Sequence, residues 1–117
     1  MRQDVINFIS KTYKEKPEYL WKKYPEFCIF RHSDNRKWFA LIASVPCKNL
    51  KLSGDGKVDI LNVKCTTDDI GFLRGVPGIL PAYHMNKANW ISVVLDGNLP
   101  LKNIKHLIEK SFDLTKK

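Results

Sequence analysis

The chain has few cysteines, no long hydrophobic run and no repeated segment, and each shortage narrows what it can be. Its 3 cysteines among 117 residues are odd in number and include no C-x-x-C pair, which argues against a disulfide framework and against a zinc site. No apolar stretch approaches the roughly 20 residues that a membrane-spanning helix needs. We therefore expect buried, reduced thiols and neither a metal nor another cofactor.

The N-terminal segment lacks the features of a secretion signal. The first ten residues, MRQDVINFIS, include the acidic residue Asp4 and no continuous apolar stretch, whereas a signal peptide carries an apolar run of about 7–15 residues. Together with the reduced cysteines, this segment predicts a cytoplasmic protein.

Length and composition indicate one folded domain over residues 1–117. Hydrophobic residues make up 44% of the chain and charged residues 27%, which is ordinary for a globular protein and argues against disorder. A chain of this length buries one hydrophobic core but not two.

The net charge of +8 is the compositional feature that points to a partner. A basic excess favours DNA or another polyanion, or an acidic protein surface. The basic residues are spread along the chain, with no polybasic run beyond pairs such as Lys22-Lys23 and Arg36-Lys37. The charge therefore leaves open both a nucleic-acid-binding surface and an ordinary solvated surface.

The first part of the chain predicts a helix and three strands. Apolar residues at helical spacing predict a helix over residues 2–15, which Pro17 ends, and a short helical turn is expected over residues 18–23. The aromatic cluster that follows Pro17 is expected either to cover the hydrophobic core or to form a surface on which nucleic-acid bases stack. Strands are predicted over residues 26–32, 36–45 and 57–64.

Alternation assigns the faces of the second predicted strand. It puts Phe39 on one face with Leu41 and Ala43, and Ala40 on the other face with Ile42. Both faces are apolar, as expected for an interior strand. In the third strand the sequence does not settle which alternate residues face the core.

The second part of the chain predicts a capped helix, a connector, two strands and a final helix. Thr66 and Asp69 form a capping-box pattern for a helix over residues 68–74, and Gly75 is expected to end it. The Gly- and Pro-rich residues 75–81 cannot continue a helix or a central strand. Strands are expected over residues 82–85 and 90–95, and an amphipathic helix over residues 100–115.

This order of elements, α-β-β-β-α-β-β-α, predicts an α+β fold. Short links between successive strands favour one antiparallel sheet of about five strands. The amphipathic helices are expected to cover one face of it, which gives a two-layer domain.

Cationic and aromatic residues flank the connector and form the candidate binding site. Lys and Arg side chains contact phosphates, while an aromatic ring stacks on a base. The alternative is that the rings pack across the hairpin and that the charges pair with Asp68 or Asp69, or face water. The candidate nucleic-acid-binding residues are Lys64, Arg74, Tyr83, His84, Lys87 and Trp90.

No motif predicts catalysis. Cys65 with His84 or His32 could form a nucleophile–base pair, but no third group that would orient the base can be named. Asp68 and Asp69 are explained by helix capping. The chain is therefore expected not to be an enzyme.

Several runs resemble the MmcQ/YjbR family of small bacterial proteins. The resemblance implies the YjbR-like fold, similar to that of type III secretion chaperones, and a family often labelled DNA-binding. This chain has His84 where the family places a basic or aromatic residue. The resembling runs are Lys37-Trp38-Phe39-Ala40-Leu41, Lys64-Cys65, Tyr83-His84-Met85-Asn86-Lys87, Trp90-Ile91 and Leu95-Asp96-Gly97.

Two functions follow as hypotheses. The first is a nucleic-acid-binding module that uses a basic, aromatic-lined groove around the connector. The second, by analogy with the chaperone-like fold, is a protein-interaction domain that binds a partner segment or a second copy of itself.

Overall fold

Three helices and five strands follow one another in the predicted order. The computed structural model describes residues 1–116. The elements are α1 (Arg2–Tyr13), β1 (Cys28–Arg31), β2 (Trp38–Pro46), a 3₁₀ turn (Cys47–Leu50), β3 (Lys57–Lys64), α2 (Thr67–Leu73), β4 (Ile79–Pro81), β5 (Trp90–Val94) and α3 (Leu101–Thr115).

The five strands form one antiparallel sheet in the order β1-β2-β3-β5-β4. Strand β5 lies beside β3, so the β4–β5 hairpin turns back and leaves β4 at the edge. The α+β fold with a single antiparallel sheet is confirmed. No helix within residues 1–116 has both the length and the apolar character required to cross a membrane.

The two faces of the sheet are covered by different parts of the chain. On the face that we call the helix side, Leu61 and Val63 of β3 pack in the main core with residues of all three helices. On the opposite face, the loop side, Val58 and Ile60 belong to a smaller cluster that loop residues cover. Both sets of alternate residues in β3 therefore pack in a hydrophobic cluster, one set on each side of the sheet. The covering loop-side residues include Phe27, Leu50, Leu52 and Tyr83.

A β-bulge changes the face of Phe39. Trp38 pairs with Arg31 and Ala40 with Phe30, so Phe39 is an extra residue in β2. Phe39 packs on the helix side together with Ala40, whereas strict alternation predicted opposite faces for them. That prediction was wrong because an inserted residue reverses the alternation from that point onward.

The segment after α1 is extended where the sequence predicted a helical turn. Helix α1 ends at Tyr13, since Lys14 adopts a left-handed conformation with φ of 58°. The Glu18 amide donates to the Ile29 carbonyl at 2.8 Å, and the Ile29 amide donates back at 2.9 Å. The Glu18 carboxylate also pairs with Arg31 at 2.6 Å. Pairing with the edge of β1 therefore replaces the predicted local helix over residues 18–23.

The fourth strand lies inside the connector, earlier than predicted. Strand β4 comprises Ile79–Pro81, and the predicted strand over residues 82–85 is a turn. Pro81 is tolerated because β4 has only one neighbour, so its missing N–H does not break the ladder.

The predicted N-terminal cap of α2 is confirmed. The Asp69 amide donates to the Thr66 hydroxyl at 3.1 Å. The Asp69 carboxylate pairs with Lys110 at 3.1 Å and thereby ties α2 to α3. The helix ends at Leu73, and Gly75 follows with φ of 85°.

Candidate functional site

A buried polar network holds the segment after β4 against the sheet. The Tyr83 amide donates to the Ser92 hydroxyl at 2.8 Å, and this hydroxyl donates to Asn62 Oδ1 at 2.5 Å. The Asn62 amide group donates to the Tyr83 carbonyl at 2.9 Å. Asn62 and Ser92 are fully buried. Both backbone groups of Tyr83 are therefore fixed, and the chain continues through His84 with φ of 56°.

Arg74 and Lys87 come together at a cavity beside the edge strand. The cavity has a volume of about 230 Å³, and its wall includes Ile70, Ile79 and Ile91. Both cationic residues are exposed. No carboxylate within residues 1–116 forms an ion pair with either of them. The cavity therefore has an apolar wall and two unneutralised charges.

Lys64 and Trp90 form a second pair, at the end of the central strands. They are direct partners in the β3–β5 ladder, and alternation along β5 puts Trp90 on the loop side with Val94. The Trp90 amide donates to the Asn86 carbonyl at 2.9 Å. The tight turn from Asn86 to Trp90 thus links Lys87 of the first pair to this second pair.

Tyr83 and His84 form the third pair. Their ring centroids are 4.1 Å apart, and Tyr83 packs in the loop-side cluster. The Tyr83 hydroxyl accepts a hydrogen bond from Asn49 at 3.4 Å. Of the six predicted residues, the cavity beside β4 includes only Arg74 and Lys87. The six are therefore distributed as three pairs around β4 and the start of β5.

Asn62 and Ser92, which position this segment, were not among the residues predicted from the sequence. The available signal was a polar residue in each of two otherwise apolar strands. These two residues are partners in the β3–β5 ladder, but their pairing is visible only once the strand order is known.

The thiol environments bear on the nucleophile–base hypothesis. Burial raises the pKa of Cys65 to about 11, and the nearby negative charge of Asp69 adds to the effect. Burial also raises the pKa of Cys28. Because the thiolate is the nucleophilic form, Cys65 is poorly activated at neutral pH. Within residues 1–116, no three His, Cys, Asp or Glu side chains come together as metal ligands would.

Thiol alkylation should follow burial. In the folded protein at about pH 8, we expect iodoacetamide to modify the partly exposed Cys47 first, while Cys28 and Cys65 react only after unfolding. Mass spectrometry of digests taken over time measures the order. Modification of Cys65 as fast as Cys47 in the folded state would show an accessible, activated thiol and contradict this assignment.

A family model and a related protein each match most of this chain. The YjbR family model matches residues 11–114. The chain is 44% identical over 115 residues to YyaQ, an uncharacterized protein of Bacillus subtilis (strain 168), and the match covers 98% of each chain.

Solved structures share the fold. A crystal structure of a Pseudomonas syringae protein superposes with a TM-score of 0.96 at 46% identity and covers 99% of both chains. The Deinococcus radiodurans protein DR2400 has the same fold at 21% identity, with a TM-score of 0.76 over 100% of this chain and 79% of that one. From the family match and the identity to YyaQ, the chain belongs to the YjbR family.

Proposed function

We propose that this domain binds nucleic acid through the surface around β4 and the start of β5. The observation that carries the proposal is the placement of Arg74 and Lys87 at one cavity, both exposed and neither ion-paired with a described carboxylate. A cation that is not neutralised by its own chain remains available for phosphate. The net charge of +8 adds long-range attraction for a polyanion.

Lys64 and Trp90 would add a third phosphate contact and an aromatic ring on which a base can stack. Lys64 lies beside Trp90 in the sheet, and the turn that contains Lys87 leads directly into Trp90. The wall of the Arg74 and Lys87 cavity belongs to the helix-side core, whereas Trp90 lies on the loop side. A nucleic-acid strand held by Arg74 and Lys87 would therefore pass around the start of β5 to reach Lys64 and the half-buried Trp90 ring. Such phosphate contacts position the strand, while stacking on an aromatic ring tolerates any base.

We also infer a binding role without catalysis. The thiol of Cys65, the nucleophile in the pairs that the sequence suggested, is buried and has a raised pKa. The Asp69 carboxylate is engaged by Lys110 at 3.1 Å.

The test is the salt dependence of binding to single-stranded and duplex DNA. The double variant Arg74→Ala/Lys87→Ala should reduce the slope of log K against log salt by about 2, because each lost phosphate contact removes about one released counterion. Lys11→Ala/Lys16→Ala is the matched control, since it removes the same charge from exposed residues of α1 and the segment after it. Fluorescence anisotropy of labelled oligonucleotides measures both slopes.

Two outcomes would contradict the proposal. The first is no measurable binding by the native chain at low salt. The second is an equal change in slope for both double variants, because that would show a diffuse attraction to charge with no defined site.

A further inference from the structure

A groove between α2 and α3 is separate from the surface proposed to bind nucleic acid. The two helices are joined by the Asp69–Lys110 ion pair at 3.1 Å, and beside it the surface opens into a cavity of about 660 Å³. Its apolar lining is contributed by Leu73, Val76, Leu99 and Leu107. A hollow of this size and lining can accept a large apolar side chain.

Phe72 projects from the rim of this groove. It is 83% exposed, more than any other large hydrophobic residue within the described chain. On its other side lies a shallower hollow bordered by Thr67, Asp68 and Gly71, and no atom lies within 4 Å of where a Cβ of Gly71 would be. Phe72 is therefore an isolated apolar projection with a hollow on each side.

The two helices carry opposite unpaired charges at this face. Asp68 of α2 and Lys102 of α3 are both exposed, and neither forms an ion pair within residues 1–116. Among the other charged residues of the groove, Asp69 pairs with Lys110, and Glu109 lies 3.9 Å from His106 Nδ1. With neutral His106, the residues that border the two hollows carry a net charge of −1, although the molecule as a whole carries +8.

We propose that this face binds a second copy of the chain in a two-fold symmetric dimer. In a two-fold contact each copy presents the same surface, so α2 of one copy packs on α3 of the other, twice. Phe72 then enters the groove of the second copy, and Asp68 of each copy faces Lys102 of the other. The projection and the hollow lie on one surface, as a self-complementary interface requires.

Charge favours a second copy at this face over an unrelated acidic partner. An acidic partner would gain from the molecule's overall charge, but it would also meet Asp68 and Glu109 at the groove. Two copies repel each other through their net charges wherever basic surfaces meet. The α2–α3 face is not basic, so it avoids that local repulsion, and it pairs opposite charges across the two-fold axis.

The first test is the effect of Phe72→Ala on self-association. Sedimentation velocity from micromolar to millimolar protein, in about 0.3 M salt to screen the overall repulsion, should show a monomer–dimer equilibrium for the native chain. Phe72→Ala should raise the dimer dissociation constant by about 30-fold or more. Because the side chain is so exposed, the variant should fold normally, which circular dichroism verifies. Tyr24→Ala is the control, as it removes another exposed aromatic ring and should leave the equilibrium unchanged.

Charge reversal tests the arrangement of the helices. Asp68→Lys and Lys102→Asp should each weaken the dimer by about tenfold, since each variant places like charges opposite one another. The double reversal should restore the native dissociation constant. A native chain that stays monomeric at millimolar concentration, a Phe72→Ala variant that dimerises normally, or a double reversal without rescue would each overturn the proposal. Since nucleic-acid binding is measured on a different surface, its outcome does not decide this one.

Discussion

Replacement of Asn62 by alanine is expected to lower the free energy of unfolding by about 2–4 kcal/mol. The side-chain nitrogen of Asn62 donates to the Tyr83 carbonyl and its Oδ1 accepts from the Ser92 hydroxyl, and the side chains of Asn62 and Ser92 are fully buried. A buried group that loses its partner costs about 1–3 kcal/mol, and the missing side-chain atoms leave a small cavity as well. Urea denaturation measures the loss.

Asn98→Ala is the matched control for this prediction. Asn98 is also hydrogen-bonded, to Asp96 at 3.0 Å, but it is exposed, so its removal should change the free energy of unfolding by less than about 0.5 kcal/mol. The variant Ser92→Ala should destabilise too, and the double variant should lose less than the sum, because the two residues belong to one network. Equal costs for Asn62→Ala and Asn98→Ala would show that the network does not stabilise the segment.

Ser111→Ala should cost about 2–3 kcal/mol, although alanine is the better helix former. Ser111 lies on the buried face of α3, where its hydroxyl donates to the Phe39 carbonyl at 2.6 Å and accepts from the Lys64 amide at 2.9 Å. Phe39 and Lys64 belong to neighbouring strands, β2 and β3, beyond the last pair of their ladder. Alanine would leave both backbone groups buried without a partner, which outweighs its gain of about 0.5 kcal/mol in helix propensity.

Hydrogen exchange distinguishes the loss of the Ser111 hydrogen bonds from a general loss of stability of the fold. In Ser111→Ala the Lys64 amide should lose protection far more than the amides in the middle of β3. Ser53→Ala, at an exposed loop position, should change neither the exchange pattern nor the free energy of unfolding. Unchanged protection of Lys64 in Ser111→Ala would contradict the proposed role of the hydroxyl.

Local signals predicted the elements well where a short stretch determines them. The bounds of β3 were predicted to the residue, and the capping of α2 by Thr66 was correct, because a hydroxyl three residues before an amide forms its bond with no help from the rest of the chain. Short links between successive strands predicted one antiparallel sheet, the family resemblance implied the same fold, and the structure confirms it.

Long-range pairing explains the errors. Pro17 suggested a helix start after it, yet Glu18 binds Ile29 of β1. The bulge at Phe39 follows from the pairing of Trp38 and Ala40 with β1, which no pattern within β2 encodes. Pro81 argued against a central strand and was compatible with the edge strand that forms there.

In the candidate site, too, some features follow from a short stretch of sequence and others depend on long-range pairing. Closeness in sequence predicted that the residues flanking the connector converge on one groove; Arg74 and Lys87 line one cavity there, and the other four candidates do not line it. The separation of Tyr83 and His84 onto the loop side depends on the bonds from Asn62 and Ser92 to the backbone of Tyr83. Residues from two strands and a turn define that arrangement, so a single run of sequence could not reveal it.

Both borders of the sheet are closed to a further strand. Along β1, Glu18 already occupies the outer amide and carbonyl of Ile29. Along β4, the Ile79 amide is bound to the Val76 carbonyl, and Pro81 has no N–H to offer. Fibrous aggregation by edge-to-edge growth needs a row of free backbone groups. The bonds of Ile29 and Ile79 and the missing N–H of Pro81 interrupt such a row along β1 and β4, so these two borders are poor templates for edge-to-edge growth of the native sheet.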